Sequence, residues 1–119
     1  FNGHKVFDMI YGNTALMGSI YSALENASFE DSNEVFLGYD FNSGDFLMGF
    51  DAFEVYEDEY GDREWGEMDG VLVNIRAFED GTVSSGRVVA QEPGGVYARG
   101  GINPYLMKKF PDVMPIRLD

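Results

Sequence analysis

The sequence predicts an α+β domain: an N-terminal helix packed on an antiparallel β-meander, with a short C-terminal helical turn. Three observations carry that prediction. An apolar stripe recurs at the helical period near the N-terminus, short aromatic and β-branched runs follow it, and fifteen glycines in 119 residues punctuate those runs. The length suits one domain over residues 1–119. A composition 45% hydrophobic and 15% aromatic supplies a core despite the high net charge.

The helix begins after Asn13, a good N-cap, and Leu16, Ile20 and Leu24 recur at spacing four with Met17, Ala23 and Ala27 beside them. Residues 6–11 read as a first turn or a short extended lead-in. Residues 34–40 and 45–51 are aromatic-rich runs around Asn42-Ser43-Gly44, where glycine accepts positive φ without penalty, so they form a hairpin. Phe53 and Val55 alternate with Glu54 and Tyr56, which predicts a third strand over residues 53–60. Val71, Val73 and Ile75 alternate with Leu72, Asn74 and Arg76, and the turn Glu79-Asp80-Gly81-Thr82 returns the chain through residues 83–91 as a second hairpin. Residues 96–99, between two glycine pairs, read as a loop or short edge strand. Asn103-Pro104 is an N-cap with proline at the first helical position, opening a helical turn over residues 105–110 that Pro111 stops. The tail containing Pro115 packs extended.

Composition removes several chemistries. No cysteine is present, which excludes disulfides, thiolate zinc sites and cysteine nucleophiles. His4 is the single histidine, so a His-rich metal site is excluded and a Ser-His-Asp triad would depend on a residue near the terminus. Ser84 and Ser85 have no base nearby in the sequence. No G-x-x-x-x-G-K-[ST] or strand-linked G-x-G-x-x-G phosphate loop occurs, and residues 40–45 depart from the calcium-loop pattern by placing Asp where its glycine belongs. With 21 acids a suitably spaced carboxylate pair arises by chance, so such pairs carry no assignment. Met48, Met107 and Met114 read as core filler, and Arg76, Arg87 and Arg99 as counterions to acids across the sheet. No catalytic residue, metal or cofactor is assigned. No run of apolar residues is long enough for a membrane span, and the first residues lack a signal-peptide layout, so cytoplasmic residence is expected.

Charge is the most informative feature. The net charge of −13 opposes direct binding to nucleic acid or anionic membrane. Residues 1–69 carry sixteen acids and two bases, whereas residues 70–119 are close to neutral. Residues 51–69 hold nine acids against Arg63, with aromatics interleaved. Like charges within a Debye length of ~8 Å repel, and a basic partner or a cation relieves that repulsion. Aromatics add rigid contact area. The candidate partner-binding set is therefore Asp51, Glu54, Tyr56, Glu57, Asp58, Glu59, Tyr60, Asp62, Glu64, Trp65, Glu67 and Asp69. The competing interpretation is a solvated acidic face that only keeps the chain soluble.

The segment Met68-Asp69-Gly70-Val71-Leu72-Val73, after an acidic aromatic stretch containing Trp65, is similar to immunity proteins of contact-dependent growth inhibition systems. The similarity spans residues 36–76. It implies a non-enzymatic inhibitor whose partner is a basic toxin domain, a nuclease whose phosphate-binding cleft the acids would cover. Two other expectations stand beside it: a nucleic-acid mimic that blocks a restriction or CRISPR effector, and a small carboxylate enzyme or divalent-cation-binding module.

Overall fold

The computed structural model describes residues 2–98 and 100–118. Two N-terminal helices pack on one face of a five-stranded antiparallel sheet of order β4-β3-β2-β1-β7. The elements are α1 (Gly3–Tyr11), α2 (Thr14–Asn26), β1 (Phe29–Asp40), β2 (Phe46–Glu57), β3 (Arg63–Ala77), β4 (Val83–Pro93), β5 (Tyr97–Ala98), β6 (Gly101–Ile102), α3 (Pro104–Met107) and β7 (Val113–Pro115). Strands β1 to β4 form a meander, and β7 returns to pair with the end of β1. The fold is α+β, as the periodicities require.

Helix α2 follows its pattern. Asn13 accepts the Leu16 N–H at 3.0 Å, and Leu16, Ile20 and Leu24 are its buried residues. Residues 6–11 are more than a lead-in. They belong to a separate helix, α1, capped by Asn2, whose side chain accepts the Lys5 N–H, and Val6 and Ile10 lie one turn apart on its buried stripe. The first hairpin turn also follows expectation: Asp40 accepts from the Asn42 N–H and the Ser43 hydroxyl, and Gly44 takes φ +77°.

No separate third strand covers residues 53–60. The chain has no turn residues between Asp51 and Phe53, so β2 runs on to Glu57, and Tyr60 falls in the next turn. Strand β3 accordingly starts at Arg63, well before the alternating valines. Met48 is fully buried, but Met114 is exposed on β7 and fills no core. Arg76 lies over the Phe78 ring at 5.3 Å, and the ion pair found among the described residues joins Arg63 to Glu30. Arg99 lies outside the described residues.

Register decides which face each residue meets. Phe46, Met48, Phe50 and Ala52 of β2 share a face with Val71, Val73 and Ile75 of β3, and these pack with Val6, Ile10, Leu16, Ile20 and Leu24. The opposite face carries Phe36, Leu72 and Ala90, covered by Val96 and Leu106 from the segment after β4. That segment, residues 94–110, acts as a lid. It is pinned where the Val96 N–H donates to Asp51 at 2.8 Å, and Asn103 closes it by donating to the Gly95 carbonyl and accepting from the Tyr105 N–H.

The lid lies directly on Gly70: a Cβ there would stand 2.4 Å from the Gly95 carbonyl carbon and 2.5 Å from the Val96 nitrogen. Backbone cannot yield as a flexible side-chain end can, so Gly70→Ala is expected to cost about 2–3 kcal/mol. Equilibrium urea unfolding measures the loss.

Candidate functional site

The acidic residues 51–69 lie on the β2–β3 hairpin, and the neighbours of that hairpin end early. On one side the last contact with the chain before β1 is Val55 N–H to the Ser28 carbonyl at 2.8 Å. On the other, β4 ends at Pro93, paired with Asp69. Beyond these points β2 and β3 continue as a two-stranded arm to the turn at 58–62. The molecule measures 49 × 32 × 23 Å with a radius of gyration of 14.7 Å, against about 13.5 Å for a compact chain of this length.

The arm's tip is built by Asp58. Its carboxylate accepts the N–H groups of Tyr60 and Asp62, both at 2.9 Å, and Gly61 supplies φ +80°. Tyr60 is the most exposed aromatic of the arm at 81%, and Glu59 and Asp62 are exposed beside it.

Alternation divides the rest of the set between two faces, and a bulge in β3 sets which of its residues join each. Phe53 pairs with Met68 but Val55 pairs with Trp65, so Gly66 and Glu67 together oppose Glu54. One face of the arm thus carries Phe53, Val55, Trp65 and Met68, with Glu57 and Arg63 toward the tip. Glu30 of β1 braces this face by accepting the Trp65 indole N–H at 3.1 Å and pairing with Arg63. The other face carries Glu54, Tyr56 and Glu64. Tyr56 is 51% and Trp65 58% exposed. The sequence placed all twelve residues on one acidic surface; the register separates an apolar aromatic row from a carboxylate row.

Two of the twelve lie at the root of the arm. Asp51 holds the lid through Val96. Asp69 is only 8% exposed, opposite Ala52 on the helix-bearing face. Burial pushes its carboxyl above the usual range, and the charges of Glu54, Glu67 and Glu92 push it further. Alternation with Val71, Val73 and Ile75 accounts for its burial, but sequence spacing could not reveal that Glu92 arrives beside it from β4. Among the described residues, no group of three or more His, Cys, Asp or Glu side chains is arranged to hold a metal ion. Ser84 and Ser85 lie in β4, and His4 is exposed on α1, so the sequence's nucleophile and base candidates are on separate elements. No helix among the described residues is long and apolar enough to cross a membrane.

Comparison with protein-family models, with curated proteins and with solved structures returns no match.

Asp69 makes stability depend on pH with a definite sign. Its folded pKa lies above its unfolded value, so the folded state holds the proton more tightly. The ionisation penalty is full above the folded pKa, fades as pH falls through it, and is gone below the ordinary aspartate range. Asp69→Asn is therefore expected to raise the melting temperature by a few degrees at neutral pH and to lose that advantage in acid, which melting curves across the pH range will test.

Proposed function

We propose that the chain is a non-enzymatic inhibitor that binds a basic protein through the β2–β3 arm, as an immunity protein neutralises a toxin. The observation that carries this reading is the hairpin itself: it exposes Tyr56, Tyr60 and Trp65 together with Glu54, Glu57, Glu59, Asp62, Glu64 and Glu67, β1 pairs with it only as far as Glu54, and among the described residues its end from Tyr56 to Glu64 has no third strand. An isolated two-stranded ribbon is marginal by itself in water, and a partner that covers its aromatics and pairs its carboxylates would stabilise it.

The mechanism follows from charge. A nuclease cleft is positive because it holds phosphates, and carboxylates on a narrow arm can enter it and take those positions. The net charge of −13 steers a basic partner toward the protein before contact. At contact, Trp65 and Tyr60 provide anchors and the surrounding carboxylates set register. Of the twelve candidate residues, Asp51 holds the lid, Asp58 builds the tip and Asp69 is buried at the root. Of the six exposed acids that remain, Glu57, Glu59 and Glu64 lie toward the tip on the two strands and the turn, and their charge can be removed without touching those three.

The test is affinity capture from lysate of the source cells at low and high salt, followed by titration of the captured protein against the single tryptophan, Trp65. One basic protein is expected, retained stoichiometrically, with a blue shift of Trp65 emission. The triple variant Glu57→Gln, Glu59→Gln, Glu64→Gln is expected to bind about 10- to 100-fold more weakly with a shallower salt dependence. An unchanged affinity and salt slope would sink the proposal. Capture of several unrelated nucleic-acid-binding proteins, competed by DNA, would replace it with the mimic.

A further inference from the structure

Away from the arm, a groove of about 580 Å³ runs along the outer edge of β1, a size in the range of ligand sites. Strand β7 covers this edge only from Gly38 to Asp40, and the Ile116 N–H adds one bond to the Leu37 carbonyl at 2.9 Å. The tail then leaves the strand to run against the first turn of α1, where the Arg117 carbonyl stands 1.8 Å from where a Cβ on Gly3 would be. Residues 34–36 are left without a backbone partner on that edge among the described residues. Val35 is the extra residue of a bulge, with no counterpart on β2 either.

The two walls of the groove differ in chemistry. Glu34 pairs with Phe50 and so belongs to the helix-bearing face, where it accepts the Tyr21 hydroxyl at 2.5 Å beside the stacked rings of Phe7 and Tyr11. Phe36 pairs with Gly49 on the lid face, where Tyr97 and Ile102 line the opposite wall. One wall is acidic and aromatic, the other apolar, and Arg117 of the tail also lines the groove as its cation. An extended chain places successive side chains on opposite sides, and its backbone supplies the donors and acceptors that an open strand edge lacks.

We propose that this edge binds an extended peptide segment of a partner protein, alternating basic and apolar residues, as an added strand beside residues 34–36. Basic side chains face Glu34, and apolar ones enter between Tyr97 and Ile102. A second copy of this chain is the wrong occupant. It would bring its own Asp31 and Glu34 against the same exposed carboxylates, the arrangement by which edge strands avoid pairing with themselves. The site is separate from the arm, and neither depends on the other.

The probe is the acetylated, amidated peptide Lys-Val-Lys-Val-Lys, titrated into the whole protein and followed by backbone amide resonances. Shifts are expected to concentrate at residues 34–36 and 101–102. Two N-methylated versions block alternate backbone N–H groups; the version blocked toward β1 is expected to lose about tenfold and the other to bind as the parent. Gly101→Trp fills the groove from a position whose Cβ meets open space, so it should keep the melting temperature and lose at least about tenfold in affinity. Glu34→Gln should cost about threefold. The arm variant Glu57→Gln, Glu59→Gln, Glu64→Gln should bind the peptide within about twofold of the parent chain, which separates failure here from failure of the arm as an inhibitor surface. The proposal is overturned if both N-methylated peptides bind as the parent does, if Gly101→Trp binds normally, or if the shifts fall on the arm.

Discussion

Gly95 and Val96 press their backbone against Gly70, and this contact, held by the carboxylate of Asp51, governs how the sheet is covered on its second face. The sheet buries apolar residues on both sides: Phe50, Val71 and Val73 toward the helices, Leu72 and Phe36 toward the lid. Two helices cover the first face by ordinary amphipathic packing. The second has only a short lid with a four-residue helix, so it must approach closely, and close approach requires a residue without a Cβ beneath it. Asp51 then satisfies a backbone N–H that the lid could not pair internally. An acid in the most negative stretch of the chain is thus committed to holding a cover.

The position of this tie also defines the arm. Asp51 pairs with Gly70 and with Asn33, so three neighbouring strands are still in register there. A few residues further on, β1 and β4 have both ended, and β2 and β3 continue alone. Open edges of this kind template unwanted pairing, and dense charge is a common protection. The acids therefore have a role in the free molecule before any partner is considered. The aromatic row is harder to explain in that way. Charge protects edges, but Trp65 and Tyr60 at more than half exposure add apolar surface to the arm, which edge protection does not require and on which the proposed contact rests.

Local chemistry made much of the fold legible. Asn13 before a spacing-four stripe, Gly44 and Gly81 in hairpin turns, and Asn103-Pro104 at a helix start each act within a few residues, and each appears where its chemistry requires. Errors arose where the deciding contact was distant. Helix α1 carries the same local signals as α2, Asn2 as its cap and Val6 and Ile10 one turn apart, but it is only nine residues long, and burial of those two side chains in the core secures it. The run from Phe46 to Glu57 reads as two strands because its environment changes midway from buried to exposed, while its backbone does not turn. The candidate surface suffered most. Alternation alone sends Glu54 and Tyr56 to the side opposite Phe53 and Val55, and a one-residue bulge at Gly66 and Glu67, which no residue count anticipates, brings Trp65 and Met68, three apart, onto one face.

Asp69 connects the electrostatics of the arm to the stability of the domain. Its carboxylate is buried at the root, and Glu54 and Glu67 of the arm both raise the cost of ionising it, so charge density on the arm is felt inside the fold. That repulsion acts on the folded state much more than on the unfolded chain, where the same groups are solvated and farther apart. A basic group brought to Glu54 or Glu67 opposes the penalty at Asp69 as well as pairing with the carboxylate it touches. A partner that binds only the folded chain stabilises it by mass action in any case; one that paired Glu54 or Glu67 would add to this by relieving repulsion already present in the free protein. The carboxylates crowded at the root of the β2–β3 hairpin, where β1 and β4 still pair with it, therefore tie the pH dependence of the fold to the charge of its surface.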